Sequence, residues 1–547
     1  MPVHSAFRPG ASTGAALAAT LVAAALLALP GPLHAQEHDH PAGAHEQVGS
    51  VHLPTSCDPA AQAAFDRGVA KLHSFWFESA HGEFAAAAEA DTDCAMAHWG
   101  TAMTLWGNPM ARSAPSADRT LEALAALDRA ETLASGATPR ERAYIEAVAA
   151  LWREHETVGH LERMRRHEEA MRAVAEASPD DTEARIFTAR MMVANASPDD
   201  LTFARQQDAA AILLPLFEAQ PDHPGLAHYI IHAFDAPPIA EEGLEAAKRY
   251  AEIAPAAPHA LHMPSHIFTR LGYWDESIET NRRSAEAEPV PDAAVHPLDY
   301  MVYAYLQQGR DEAAGEVVER ATEARDRYYG GLLGYNSLAM PARYALERGD
   351  WSAAAALPAP EGAVPFVEAV PRFARAIGAA KSGDPAAARV EVARMSELET
   401  ELTTAGQTDW AVRVGAQRLA AESWATWAEG DRAAALDLAR RAAAMEETVE
   451  KHPVTPGPLL PARELYADML LEAGDAAGAL TEYQATLTRE PRRARALYGA
   501  GRAAERTGNE TDAARYAAEL LELMDRADPG RPEAEWARGV VEARASG

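Results

Sequence analysis

The chain has 547 residues, of which 48% are apolar, and its formal net charge is −31. This charge disfavours nucleic acids and anionic membrane surfaces as partners, because both would repel the protein over the Debye length. Cationic partners, including metal ions, are favoured instead. A chain of this length is too long for one compact core, so it predicts either several domains or an elongated repeat array.

The first 35 residues have the layout of a secretory signal peptide. Arg8 precedes an apolar run from Ala15 to Leu29, and a small-residue cleavage site follows at Ala35. The run is too short for a convincing membrane span. We therefore expect an exported protein, periplasmic or extracellular, with no membrane insertion. Residues 36–56 are a His-rich segment that we expect to be flexible.

From the middle of the chain onward, a turn glycine is repeatedly followed by a polar residue and an Ala-rich stretch. Successive glycines are separated by 37, 40, 34, 47, 44 and 34 residues. They are Gly272, Gly309, Gly349, Gly383, Gly430, Gly474 and Gly508. This period, without strand-like alternation, resembles tetratricopeptide repeats. The resemblance implies an all-α fold, a right-handed superhelical solenoid of helix pairs that bury their apolar faces against their neighbours.

The repeats divide the chain into three further regions. Residues 57–220 are N-terminal helical repeats that are partly irregular, residues 221–330 carry most of the histidines of interest, and residues 331–547 are C-terminal repeats. The segments DCAMAHWG, at 93–100, and HMPSHIF, at 262–268, resemble a group of uncharacterised exported bacterial tetratricopeptide proteins. That resemblance supports the fold and implies no particular activity.

The only cysteines are Cys57 and Cys94, 37 residues apart. This is close to one repeat, so both should lie near the same end of neighbouring first helices. In an oxidising compartment, we predict that they form a disulfide between the starts of two successive repeats.

Histidines recur at helical spacing between residues 228 and 296. His228 and His232 are four residues apart, as are His262 and His266, so each pair would project from one side of a helix. With the turn glycine as repeat position fifteen, successive units begin at Pro224, Pro258 and Val295. In this register His228 and His232 take positions five and nine, His259, His262 and His266 take two, five and nine, His296 and Asp299 take two and five, and Asp235 takes twelve.

In tetratricopeptide repeats these positions of the first helix line the concave groove. Histidine is a mediocre helix former but the commonest protein metal ligand, so its excess on one face indicates a metal site. We predict one divalent transition metal ion, Zn, Cu or Fe. It would be enclosed by the two pairs of histidines whose members are four residues apart. The candidate ligands are His228, His232, His262 and His266, with His259, His296, Asp235 and Asp299 as further candidates.

Pro264 allows two interpretations of this region. It lies inside the predicted first helix, where it would remove a backbone hydrogen bond and kink the chain. Alternatively, the helix begins at Pro264, and His259 and His262 lie in a preceding loop. His73, beside aromatic residues, is predicted to be packed rather than functional.

Three functions remain open. The first is an exported binding protein with a metal site in its groove. The second is a metal-dependent enzyme that uses the same cluster, with Asp235, Asp299 and Tyr303 as available acid or base groups. The third is a metal-free scaffold that binds a protein or peptide in the groove. The chain contains no HExxH, GxSxG, CxxC or Walker motif.

Overall fold

The computed structural model describes residues 46–288, 294–325, 331–360 and 362–546. The predicted signal peptide and residues 36–45 lie outside the described residues. Within these ranges the regular elements are helices. In chain order they are α1 (Pro59–His73), α2 (Phe77–Ala90), α3 (Ala95–Trp106), α4 (Ala117–Leu133), α5 (Pro139–Trp152), α6 (His160–Ala177), α7 (Thr182–Ala194), α8 (Ala204–Ala219), α9 (Pro224–Phe234), α10 (Leu244–Ile253), α11 (Pro258–His262), α12 (Pro264–Leu271), α13 (Trp274–Ala287), α14 (Val295–Gln307), α15 (Asp311–Arg325), α16 (Gly331–Glu347), α17 (Trp351–Ala355), α18 (Pro365–Lys381), α19 (Pro385–Thr404), α20 (Thr408–Glu429), α21 (Arg432–Glu446), α22 (Ala462–Ala473), α23 (Ala476–Arg489), α24 (Ala494–Arg506), α25 (Glu510–Leu523) and α26 (Pro532–Ser546).

The helices pack mainly with their neighbours along the chain. Alternate helices such as α1 and α3, α16 and α18, and α22 and α24 also touch. This is the arrangement of stacked helix pairs in a solenoid. The predicted all-α solenoid of tetratricopeptide-like helix pairs is confirmed.

At each of the recurring glycines one helix ends, and the next helix begins within a few residues. All seven glycines have positive φ, from 67° to 99°, a conformation that glycine adopts at little cost at a helix C-terminus. Asp350, Asp384, Asp431 and Asp475 then each accept a hydrogen bond from the backbone N–H three residues later. Such N-caps satisfy a donor that the new helix leaves unpaired.

The register predicted for the His-bearing repeats agrees with the helix starts. Pro224, Pro258 and Val295 are the first residues of α9, α11 and α14. Met263, between α11 and α12, keeps helical dihedrals of −54° and −35°. Pro264 therefore interrupts the hydrogen-bond ladder while the chain continues in helical conformation, and His259 and His262 lie on a short helix rather than in a loop.

The predicted disulfide is confirmed. Cys57 and Cys94 are bonded, with a Cα–Cα distance of 4.9 Å. Cys57 lies just before α1 and Cys94 is the residue before α3. The bond therefore joins the starts of two successive first helices.

Replacing both Cys57 and Cys94 by alanine is expected to lower the free energy of unfolding by about 3–4 kcal/mol, because a loop of this length gains entropy in the unfolded chain. Urea unfolding of the variant and of the parent measures the difference. Reduced parent protein should unfold like the variant. Two free thiols in denatured, unreduced parent would contradict the disulfide itself.

Residues 47–56 belong to the segment predicted to be flexible, but they pack against the solenoid. The Ser50 N–H donates to the Asp222 carbonyl at 3.0 Å, and the Leu53 N–H donates to Asp66 Oδ1 at 3.2 Å. Leu53 is buried. This end of the segment is held in place because its backbone N–H groups donate to a carbonyl and to a carboxylate of the repeats.

The C-terminal repeats curl back onto the middle of the chain. The Ala494 N–H donates to Gln307 Oε1 at 3.0 Å, and the Asp528 N–H donates to the Gly309 carbonyl at 3.0 Å. Residues 447–461, which connect α21 to α22 and which we call the cap segment, run into the groove. There Asn336 donates to the Val454 carbonyl at 2.8 Å.

At this level of the solenoid the cap segment packs against a position that the register assigns to the groove wall, because Lys451 Nζ lies 3.3 Å from Asp235 Oδ2. No helix in the described ranges is long and apolar enough to cross a bilayer.

Candidate metal centre

The six predicted histidines lie together on α9, α11, α12 and α14, and they form two groups. The first trio is His228, His232 and His259, and the second trio is His262, His266 and His296. Within each trio the candidate ligand nitrogens lie within 4.8 Å of one another. The sequence predicted these residues but grouped them differently. It placed one ion between two pairs of histidines, each pair spaced four residues apart.

The two trios are in contact beneath the cap segment. The ring centroids of His259 and His262 are 6.0 Å apart, and those of His232 and His266 are 5.9 Å apart. His228, His262 and His266 are at most 2% exposed, and the other three histidines are partly exposed. The cluster is thus a largely buried site rather than a solvated groove wall.

In the second trio, the hydrogen bonds fix which ring nitrogens carry protons. Asn281 Nδ2 donates to the Ser277 carbonyl at 2.7 Å, so Asn281 Oδ1 is the atom that faces His262 Nδ1, at 2.6 Å. His266 Nδ1 lies 2.8 Å from Asp235 Oδ2. Both partners are acceptors, so both Nδ1 atoms carry the proton.

The remaining nitrogens of this pair face each other. His262 Nε2 and His266 Nε2 are 3.0 Å apart, and in the neutral rings both carry lone pairs. Two lone pairs at this distance repel unless a proton or a metal ion lies between them. Burial lowers the pKa of His262 well below its usual value and also lowers that of His266, which disfavours the proton.

A metal ion fits this geometry. Two nitrogens bound to one ion at about 2.0–2.1 Å lie roughly 3.3–3.6 Å apart at tetrahedral to trigonal angles. The pair needs to open by only a few tenths of an ångström. His296 adds a third nitrogen, because its Nδ1 is buried without a hydrogen-bond partner and its ring centroid is 4.3 Å from that of His262.

The first trio also contains a close pair of ring nitrogens. His228 Nδ1 donates to the His73 carbonyl at 2.6 Å, which leaves the His228 Nε2 lone pair 3.1 Å from His259 Nε2. His232 Nε2 is buried without a partner. Here His259 can carry its proton on Nε2 and donate to His228, so the second trio is the one whose hydrogen bonds require a cation.

Asp235 lies behind His266 rather than among the ligand nitrogens. Besides His266, its carboxylate contacts Lys451 Nζ at 3.3 Å and Arg270 Nε at 2.9 Å. Burial raises the pKa of Asp235, but Lys451 and Arg270 outweigh burial and hold it well below its usual range. A carboxylate that accepts the Nδ1 proton of a metal-binding histidine fixes the tautomer and orientation of the ring.

Asp299 and Tyr303, also proposed from the sequence, are engaged elsewhere. Asp299 is fully buried and pairs with Arg343, with Nε and Oδ1 at 3.0 Å. The Tyr303 hydroxyl accepts a hydrogen bond from Arg493 at 3.2 Å. Asp299 belongs to neither trio. The structure therefore does not bring these two residues into the site.

A cavity of about 530 Å³ borders the cluster. Its lining includes His232, Asp235, Lys451 and Trp410. Burial lowers the pKa of Lys451 to about 8. The cavity gives a small molecule a route to His232 of the first trio, past the Lys451 side chain.

A third cluster, formed by His73, Glu183 and His223, escaped the sequence analysis as a group. Glu183 lies 2.9 Å from His73 Nε2 and 2.7 Å from His223 Nε2. His223 Nδ1 accepts the Leu226 N–H, so its Nε2 carries the proton and donates to Glu183. This network is satisfied without a metal, and it confirms that His73 is packed. Its members come from three repeats, and no local spacing signals their contact.

No protein-family model matches the chain, and no curated protein matches it. Among solved structures, the chain is similar to the yeast Tom70, with 12% identity, a TM-score of 0.34, and 89% of this chain and 96% of that chain covered. It is also similar to the APC/C hetero-tetramer Cut9–Hcn1, with 11% identity, a TM-score of 0.32, and 88% and 90% covered. Likeness at this level carries no argument about function, and the fold class rests on the helix packing described above.

Proposed function

We propose that this protein is an exported metal-binding solenoid whose histidine cluster holds a divalent transition metal ion. One observation carries the proposal. His262 Nε2 and His266 Nε2 face each other at 3.0 Å while both Nδ1 atoms donate to acceptors. A cation between them relieves the repulsion, and imidazole nitrogens suit Zn, Cu and Fe.

Export is supported by the disulfide between Cys57 and Cys94, because such bonds persist in oxidising compartments. It is also supported by the signal-peptide layout of the first 35 residues. The resemblance to exported bacterial tetratricopeptide proteins involves residues that the structure uses. DCAMAHWG supplies Cys94 of the disulfide, and HMPSHIF supplies His262 and His266.

A metal-dependent enzyme is the second candidate, and the cavity of about 530 Å³ favours it. Three protein ligands leave a coordination position open, as in catalytic zinc sites. A protein or peptide partner in the groove stays a prediction, and such a partner would have to bind away from the cap segment or displace it.

The test is a metal titration of the mature protein after chelator treatment. Equilibrium dialysis against Zn(II) and, separately, Cu(II), followed by elemental analysis, gives the bound metal per chain. The variant with His262→Ala and His266→Ala is expected to lose at least 100-fold in affinity at the second trio, because two of its three nitrogens are gone. Its helical circular dichroism should be unchanged.

The matched control also removes two histidines, with His52→Ala and His155→Ala, which lie in neither trio. It should bind metal like the parent. If the parent binds no metal, the proposal is wrong. If the His262 and His266 variant binds like the parent, the second trio is not the metal site, and the observation that carries the proposal is wrong.

A further inference from the structure

We propose that the cluster holds a pair of copper ions, one in each trio, and that dioxygen is the ligand that bridges them. This inference rests on the proposed function, because it requires that the histidines bind metal at all. It adds the number of ions, their identity and the small molecule that the site takes.

The repeat register indicates two sites rather than one. Each trio consists of positions five and nine of one unit and position two of the next unit. Stacked repeats follow one another by a similar step, so the same positions should build two similar sites one step apart. The trios are His228, His232 and His259, then His262, His266 and His296.

The series ends after two sites. In the third unit, positions five and nine are Asp299 and Tyr303. These residues contact Arg343 and Arg493, respectively. Their side chains are therefore committed to the contacts that hold the cap segment and the C-terminal repeats.

Each trio contains one close nitrogen pair and one nitrogen without a hydrogen-bond partner, but different register positions form them. The close pair joins positions five and two in the first trio and positions five and nine in the second. Each has a pair of Nε2 atoms in near contact, at 3.1 Å for His228 and His259 and at 3.0 Å for His262 and His266. Each also has one buried ring nitrogen without a hydrogen-bond partner, His232 Nε2 in the first and His296 Nδ1 in the second.

The trios are adjacent, with ring centroids of facing histidines 5.9 and 6.0 Å apart. Ions bound in them are neighbours. Neighbouring metal ions can share a small ligand that bridges them. Each ion here has three protein ligands, so each keeps a position open for it.

The charge of the ligand set favours copper. All six donors are neutral imidazoles, and in the described ranges no carboxylate belongs to either trio. Two divalent ions would add four positive charges to a buried site, and the nearby carboxylate of Asp235 already pairs with Arg270 and Lys451, so this charge is costly without an added anion. Two Cu(I) ions add only two positive charges, and imidazole is a good copper ligand.

Dioxygen supplies the missing anion. Each Cu(I) ion gives one electron to O₂, which becomes peroxide with two negative charges and an O–O single bond, while both ions become Cu(II). No proton is needed and no other reactant takes part. The peroxide between the ions offsets half of their four charges. Phe75, stacked on His259 at 5.2 Å, covers the first trio with an apolar ring.

The experiment loads the chelator-treated mature protein with Cu(I) under anaerobic conditions, removes excess copper, and measures copper per chain. We expect about two ions, and uptake of about one O₂ per two ions when oxygen is admitted. Because the spins of bridged Cu(II) ions pair, electron paramagnetic resonance should detect less than about a tenth of the copper after oxygenation.

His232→Ala, in the first trio, should bind about one copper ion per chain, and after oxidation its resonance signal should account for all of that copper. The His155→Ala control should retain the pair. One ion in the parent, two ions with a full signal, or a preference for a Zn(II) pair over copper would each overturn this inference and leave the proposed function standing. Failure to bind any metal would overturn both.

Discussion

Replacing Asp299 by alanine is expected to lower the free energy of unfolding by about 3–5 kcal/mol, because the change leaves a buried arginine without its counter-ion. Arg343 is fully buried, with its Nε 3.0 Å from Asp299 Oδ1. It also donates to the cap segment, to the carbonyls of Gly457 at 2.6 Å and Pro458 at 2.8 Å. Loss of Asp299 should therefore break the ion pair with Arg343 and also weaken the contacts that Arg343 makes with the cap segment.

Two measurements distinguish this structural role from the ligand role that the sequence suggested. Urea unfolding gives the stability change, and metal per chain in the folded variant should match the parent. Asp437→Ala is the control, since this exposed aspartate pairs with Arg440 on the surface and should change stability by less than about 0.5 kcal/mol. Loss of bound metal in folded Asp299→Ala would restore Asp299 as a ligand.

The solenoid could be predicted because short segments of the sequence determine where each helix ends and the next begins. A glycine with positive φ ends one helix and the next polar residue caps the following one, so each such segment sets the register without knowledge of distant contacts. That register also placed the starts of α9, α11 and α14 correctly.

The cap segment was not predictable in the same way. The separation of 44 residues between Gly430 and Gly474 indicates extra residues, but not where they go. Their path depends on Asn336 and Arg343, more than a hundred residues earlier, which bind its carbonyls. Contacts of this kind depend on the superhelical curl, which no local pattern encodes.

The histidines of the site were found from the sequence, but their grouping was not. A search for histidines four residues apart pairs His262 with His266. It misses His296, which is at position two of the following unit. The trios appear once positions five and nine are combined with position two of the next repeat. From the sequence, Asp235 and Asp299 were equivalent candidate ligands. Their roles differ because of partners far away in the chain, since Asp235 pairs with Lys451 beside the histidines and Asp299 pairs with Arg343.

Asp235→Asn is expected to weaken metal binding at the second trio by about 10–100-fold while leaving the bound metal at saturation unchanged, because partners behind a ligand histidine tune its basicity and orientation. Asp235 accepts the Nδ1 proton of His266 at 2.8 Å. Asn281→Ala, which removes the acceptor of His262 Nδ1, should have a similar effect. Competition against a chelator of known affinity measures both.

Asp409→Asn is the matched control, because Asp409 lines the same cavity and pairs with Arg413 but belongs to neither trio. Asp235→Asn also removes the carboxylate that Lys451 contacts, so adding Lys451→Met should recover stability but not affinity. If Asp235→Asn binds no metal even at saturation, Asp235 is itself a ligand. If its affinity equals that of the parent, the carboxylate of Asp235 does not tune His266 as a ligand, and this prediction is wrong.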